Sequence, residues 1–498
     1  LLKTTIKKMQ ELYQSLGLKT NLFSKFSAEE EEDYLDKIYV QPKYFNSLYS
    51  NLKDASSRFI IGSRGSGKTA LIIQLKKSLE ENNVYTFLLD NFENIPNKNN
   101  EKYFILEIIQ GITSDFSLVL SKNPNLLKKL NKFEKEKLSF IIQEFFKTLS
   151  KREYLERNDK VKRFKAKNAF YNFFNLYLNK PINLLVSGGI EIISDTVAKS
   201  LGLPKIQNKD FYKNYIPEFK TKIPEKKISF DDYDYNSLKN ILIDLSKIIK
   251  KVGYHNVVIL IDKIDENRNL RGAINDVCNF IEEILKDTNL LMQNDFGVVF
   301  SIWDEVRNVL ASRGVRFDKF RPIDVTWTSD EILEIINKRI TFFSNKTNNI
   351  QDLLVDVNEK DGIISLANYS PRDLFHLCAN IYDEQSIIDS SSAYFSREAI
   401  KNGKLKFCKE YEYYALFPSN RNSKDDVFRN INRLLKTGKT TLRSNDLGAV
   451  LKVNSSTANT YIKIMSDFNF LKMTEQQYVY DVTDPKIRYL IENKVVEI

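Results

Sequence analysis

The chain has 498 residues, with 75 Lys and Arg against 65 Asp and Glu, a formal net charge of +10 and a pI near 9.0. That length allows about two to four domains with ample core, and 42% hydrophobic with 28% charged residues is the balance of a globular chain, not a disordered one. Cys278, Cys378 and Cys408 lie far apart with only His255 and His376 to join them, so a Cys/His zinc site is not expected.

No apolar run stands out as a membrane span, and Leu1 to Lys8 is too polar for a signal peptide. With few cysteines, the expectation is a cytoplasmic protein without a membrane partner. The basic balance favours polyanionic partners without establishing them.

Residues 1–55 read as an N-terminal helical segment, with an acidic run at Glu29 to Glu32 and a helix over Tyr44 to Leu52. Ile38, Tyr39 and Val40 either border a nucleotide base or belong to the core. Arg58-Phe59-Ile60-Ile61 is short and apolar enough for a buried strand. It leads into Gly62-Ser63-Arg64-Gly65-Ser66-Gly67-Lys68-Thr69, a complete G-x-x-x-x-G-K-[ST] phosphate loop, and Ala70 to Leu79 follow with helical spacing. Glycines let successive N–H groups converge on phosphate oxygens, and the helix N-terminus adds its positive end. Lys68 is expected to reach the β- and γ-phosphates of ATP, and the Thr69 hydroxyl to bind Mg²⁺.

A second strand is predicted over Val84 to Asp90, and residues 95–235 as a mainly helical insertion. Within it, the basic run Lys151 to Lys167 is expected to be a solvated helix face. Pro181 to Leu203, with Gly188 and Gly189, is either a closely packed helix or a loop. Pro224 to Tyr235 reads as a linker.

Val257 to Ile261 followed by Asp262 reads as a central parallel strand with an acid at its C-terminal tip. Asp262 is expected to hold Mg²⁺ opposite Thr69, and either Asp265 or Glu266 to polarise the attacking water. Phe296 to Trp303 is a third strand, with Ser301 as a polar strand-end residue for the γ-phosphate. Arg307, Arg313, Arg316 and Arg321 follow, and Arg313 and Arg316 are the candidates for an arginine finger acting on a neighbouring subunit. Ile323 to Val325 makes a further strand, and Ser329 is expected to cap the next helix.

Residues 329–410 read as a helical lid. In Ser370-Pro371-Arg372, Ser370 suits the N-cap and Pro371 the first helical position. Arg372 in a first turn is disfavoured by the helix dipole and so points to an anionic partner. His376 is read as packing. Residues 411–498 predict helices over Val427 to Leu435, Ser444 to Leu451 and Ser455 to Phe468, then a hairpin, the order of a winged helix. Ser455, Ser456, Asn459, Thr460 and Lys463 face outward with chemistry suited to base edges and phosphates. Residues 401–498 hold 17 Lys and Arg against 11 Asp and Glu. Winged helices also bind proteins, so both outputs stay open.

Together, the phosphate loop, acidic strand end, third strand, Ser-Pro-Arg lid and C-terminal wing resemble the AAA+ and STAND branch of P-loop ATPases. Gly62 to Thr69, Ser301 as sensor one, Arg372 as sensor two and the wing look like origin-recognition-type initiator ATPases. The spacing Asp262-x-x-Asp265-Glu266 is closer to STAND and bacterial antiphage-defence ATPases. The resemblance implies an α/β P-loop core over residues 56–94 and 236–328, ATP and Mg²⁺ as ligands, ATP hydrolysis and homo-oligomers. It also implies a switch that engages DNA or gates a separately encoded effector such as a nuclease. It does not account for residues 95–235.

Overall fold

The computed structural model describes residues 11–146, 233–270, 273–344, 346, 349–417 and 426–498. The basic run Lys151 to Lys167, the Gly188-Gly189 pair and most of the predicted linker lie outside the described residues.

Five parallel strands form the central sheet: β1 (Arg58–Gly62), β2 (Tyr85–Leu89), β3 (Val257–Ile261), β4 (Gly297–Trp303) and β5 (Ile323–Asp324), in the spatial order β2-β3-β4-β1-β5. Every residue of β3 and β4 is buried, which is why these strands read as apolar runs and not as alternating ones. Successive side chains take opposite faces. Val257, Ile259 and Ile261 join one core cluster, whereas Val258 and Leu260 join the other.

The second face carries α1 (Phe45–Lys53) and α2 (Lys68–Glu81), packed through Leu48, Leu52, Leu71, Ile72 and Leu75. The first face carries α3 (Glu101–Lys122), α4 (Lys132–Phe145), α5 (Tyr235–Lys251), α6 (Ile274–Lys286) and α7 (Asp304–Ser312). The result is a three-layer α/β/α sandwich. The predicted insertion therefore opens with helices that share the core of the sheet. Contrary to the expectation from sequence, α3 is long and apolar enough to cross a membrane. Its Phe104, Ile105, Ile108, Ile109 and Ile112 are buried in the cluster that covers the sheet.

The segment predicted as a lid forms α8 (Ser329–Phe343), α9 (Glu359–Leu366), α10 (Pro371–Ile388) and α11 (Arg397–Lys409). Thr328, not Ser329, caps α8: its side chain accepts from the Glu331 N–H, and Glu331 answers in a reciprocal capping box. Ser370 caps α10 with Pro371 at its first position. Leu12, Leu16, Leu22 and Phe23 of the N-terminal segment pack with the lid.

The C-terminal region holds α12 (Val427–Thr437), α13 (Ser444–Leu451), α14 (Ser455–Asp467) and α15 (Pro485–Glu492). It also holds an antiparallel sheet of β6 (Thr441–Leu442), β7 (Leu471–Met473) and β8 (Tyr480–Val482), in the order β6-β8-β7. It shares one hydrophobic cluster with the lid.

Candidate nucleotide-binding site

Gly62 closes β1, after which Gly65 (φ +82°) and Gly67 (φ +92°) take left-handed backbone that other residues rarely adopt. The turn delivers the chain into α2 at Lys68. The Lys68 ammonium donates to the carbonyls of Gly62 (2.7 Å) and Ser63 (2.9 Å). Burial lowers its pKa, and Asp265, Asp262 and Asp304 oppose that shift.

Asp262 follows β3 with the same parity as Val258 and Leu260, so its side chain turns toward the α2 face. There the Thr69 hydroxyl donates to its Oδ2 at 2.8 Å, across 193 residues of sequence. Asp262 is 3% exposed.

The two acids beyond it have different surroundings. Asp265 accepts from the Arg64 Nε at 2.8 Å, and the Arg64 guanidinium lies 4.9 Å from the Trp303 ring centroid and donates to the Ala415 carbonyl. Glu266 makes no side-chain hydrogen bond or ion pair among the described residues. Burial, then Asp265, raises its pKa above the usual carboxylate range, with Lys263 and Arg372 opposing. Lys263 takes the left-handed region (φ +61°) at the head of the short turn Ile264–Glu266 and pairs with Glu29 at 2.6 Å.

The lid meets the loop directly. The Arg372 N–H and the Ser370 hydroxyl both reach the Gly65 carbonyl at 3.4 Å, and the Trp327 indole N–H donates to the Ser66 carbonyl at 2.7 Å. A Cβ on Gly65 would stand 2.9 Å from the Arg372 Cβ, so glycine is required there by space as well as by φ. The Arg372 side chain itself makes no hydrogen bond or ion pair among the described residues.

These groups line a cavity of about 410 Å³. Its polar end is formed by Arg64, Gly65, Gly67, Lys68, Thr69 and Ala70 with Asp262, Asp265 and Glu266; its apolar end by Phe26, Leu35, Ile38, Val40, Ile335 and Phe375. Ile38, Tyr39 and Val40 all line it. The Tyr39 hydroxyl is buried without a hydrogen-bond partner among the described residues, and burial pushes its pKa far above the ordinary value. His376 stacks on Phe26, ring centroids 4.0 Å apart and 8° between planes.

Other predicted residues lie elsewhere. Ser63 and Ser66 accept through their carbonyls, and Ser66 Oγ is buried without a hydrogen-bond partner among the described residues. Ser301 falls two residues short of the end of β4; its hydroxyl is buried, outside the cavity lining and without a hydrogen-bond partner among the described residues. Asp304, the first residue of α7, is a further acid whose charge bears on Lys68; burial raises its pKa and Lys68 opposes. Arg313 is tied to Glu282, Asn279 and Asn275, and Arg316 to Asp318. Arg321, at φ +43°, is exposed and without a hydrogen bond or ion pair among the described residues. Ser455, Ser456, Asn459, Thr460 and Lys463 are all exposed along α14.

The sequence reading missed the roles of Glu29, Trp327 and Arg339. Arg339 is 2% exposed and paired with Glu31, donates to the carbonyls of Leu22 and Lys25, and lies 4.3 Å from the Phe375 ring centroid. The acidic run was visible, but nothing local names the cations that meet it.

The donor set fits a nucleotide with Mg²⁺. Thr69 and Asp262 offer two hard oxygens, and no group of three or more His, Cys, Asp or Glu that could hold a metal occurs among the described residues. That is the pattern for an ion that keeps waters and substrate phosphates as its remaining ligands. A glycine cradle, a helix N-terminus and an apolar chamber in one cavity match a phosphate tail and a base.

No protein-family model and no curated protein matches the chain. Among solved structures it is similar to Cdc6p from Pyrobaculum aerophilum, at 11% identity over 97% of this chain and 98% of that one, with a TM-score of 0.32. It is also similar to the Thermotoga maritima RuvB Holliday junction branch migration motor, at 17% identity over 51% of this chain and 83% of that one, with a TM-score of 0.24. These distant superpositions carry no functional argument. Strand order, loop and the Thr69–Asp262 contact define an α/β P-loop nucleotide-binding fold.

Proposed function

We propose that the protein is an AAA+-like ATPase that works as a molecular switch. The observation that carries the reading is the Thr69–Asp262 hydrogen bond of 2.8 Å beside an uncommitted Glu266. The loop N–H groups and Lys68 bind the phosphates. Thr69 and Asp262 would hold Mg²⁺, which would supply charge neutralisation for the nucleotide phosphates. Glu266 takes a hydrogen bond from water and polarises it; its raised pKa suits a general base. Asp265 holds Arg64 instead. Asp304, directly after β4, supports the Lys68 charge. Arg372 reads the γ-phosphate from the lid, and the lid shares its core with the C-terminal region, so closure over ATP is passed to the output.

For that output we favour DNA, contacted by α14 as the recognition helix of a winged helix with the β7–β8 hairpin as the wing. The support is the exposed row Ser455, Ser456, Asn459, Thr460 and Lys463 and the basic balance of the region. A second reading, docking of a separately encoded effector, is favoured by the exposed Met473 (53%) and Tyr478 (64%) at the hairpin. In a homo-oligomer Arg321 has no ion pair to break before reaching a neighbour's nucleotide, unlike Arg313 and Arg316. A place in antiphage defence rests on the spacing of Asp262, Asp265 and Glu266 alone.

The test is steady-state ATP turnover of wild type, Lys68→Ala and Glu266→Gln. Glu266→Gln should bind ATP yet lose about 10² to 10⁴ in rate. Equal turnover by all three proteins sinks the reading.

A further inference from the structure

Glu29 belongs to the N-terminal segment, not to the sheet, yet its carboxylate is 2.6 Å from the Lys263 ammonium, inside the cavity wall. Two residues on, Glu31 is buried against Arg339 of the lid helix α8. The segment thus spans the cleft, one acid on the lid and one on the core. The two links differ in strength. Side-chain exposure is 3% and 7% for Arg339 and Glu31, but 21% and 42% for Lys263 and Glu29. The Lys263 link is the one solvent can compete for, so it is the one that breaks.

Lys263 sits directly after Asp262 at the head of the turn Ile264–Glu266. Lys263 and Glu266 stand at the two ends of this turn, three residues apart, and are near enough for their charges to act on each other. Both line the cavity. Left-handed backbone at a non-glycine residue is kept only where the surroundings enforce it. A long lysine stem can be redirected within a cavity by a change of rotamer. Lys263 also approaches Asp90 at 3.8 Å, which further draws it away from the turn.

We propose that Glu29 is a positioning residue for hydrolysis: it holds the Lys263 ammonium on the N-terminal segment and so keeps that cation off the Glu266 carboxylate. When the lid swings away, Glu31 carries Glu29 with it. Lys263 then pairs with Glu266, and the acid that polarises water is sequestered. Hydrolysis is competent only with the lid closed. This rests on the ATP-hydrolysis reading above.

Turnover and KM for ATP of full-length wild type, Glu29→Gln, the double variant Glu29→Gln/Lys263→Met and Lys68→Ala test it, alongside binding of a fluorescent ATP analogue. Glu29→Gln should lower kcat about tenfold, a fraction of what a general base supplies, with KM and analogue binding little changed. The double variant should recover most of the lost turnover, because the competing cation is gone. A double variant as slow as Glu29→Gln, or a Glu29→Gln effect on KM in place of kcat, overturns the inference and leaves Glu29 a simple anchor. Wild-type turnover no faster than that of Lys68→Ala overturns the hydrolysis reading itself.

Discussion

Arg64 and Asp265 are joined by an ion pair of 2.8 Å between Nε and Oδ2, and this separates the roles of the two acids beyond Asp262. Asp265 is occupied by a cation of the phosphate loop, whereas Glu266 lines the cavity and has no side-chain hydrogen bond or ion pair among the described residues. Asp265→Asn should therefore cost less turnover than Glu266→Gln, about tenfold against 10² to 10⁴. It should also cost about 1–2 kcal/mol of stability, since a charge-assisted bond at low exposure is weakened. Turnover and denaturant unfolding of the two variants check this.

Gly65→Ala should weaken ATP binding at least tenfold. The new methyl would meet the Arg372 Cβ at 2.9 Å while the backbone stays at φ +82°. Strained left-handed backbone costs about 1 kcal/mol or more, and the clash pushes the lid off the loop. Calorimetric titration with ATP measures it.

Lys486 is 2% exposed and donates to Asp373 at 3.3 Å, one residue from Arg372, with the Tyr411 hydroxyl on the same carboxylate oxygen at 2.9 Å. Lys486→Met should destabilise by about 3–5 kcal/mol, because Asp373 is left buried without its cation. Adding Asp373→Asn should return part of that loss. Burial lowers the Lys486 pKa, but Asp484 and Asp373 outweigh it and hold it above its ordinary value. A raised folded-state pKa gives stability that is complete below the unfolded value and lost as pH rises through the folded one. The contribution of Lys486 should thus persist through neutral pH and fall only in the alkaline range beyond 10.5. Unfolding curves of wild type and Lys486→Met should converge there.

If α14 contacts duplex DNA, Lys463→Glu should weaken binding across sequences and lower the slope of log K against log salt by about one. Ser455 and Asn459 variants should instead change sequence preference. Fluorescence anisotropy at several salt concentrations distinguishes these outcomes. No binding to duplex DNA at low salt favours the effector-docking reading.

Much of this architecture is legible locally. Runs such as Val257 to Ile261 declare buried parallel strands because both faces are covered, and Ser370-Pro371 marks a helix start because capping is satisfied within four residues. The errors are also local in origin. Thr328 and Ser329 are both good caps, and only the backbone decides which turns first. The strand to Trp303 is read correctly, but the Ser301 hydroxyl on it is buried outside the cavity lining. The span of α3 is hidden in the sequence because polar residues interrupt its apolar run; Thr113, Ser114 and Ser117 are buried with it, and the Ser114 and Ser117 hydroxyls donate to the carbonyls of Gln110 and Thr113.

The sequence by itself determined the phosphate loop, the acid at the tip of β3, the Ser-Pro-Arg helix start and the order of the C-terminal elements, since each depends on neighbours within a turn or a strand. Only the tertiary structure decided which distant charges meet: Arg64 with Asp265 across 201 residues, Lys263 with Glu29, and Arg339 with Glu31 across 308. Side chains of one charge are interchangeable to a local pattern. Their partners are set by how the sheet, lid and N-terminal segment bury one another, and burial is what makes those pairings selective.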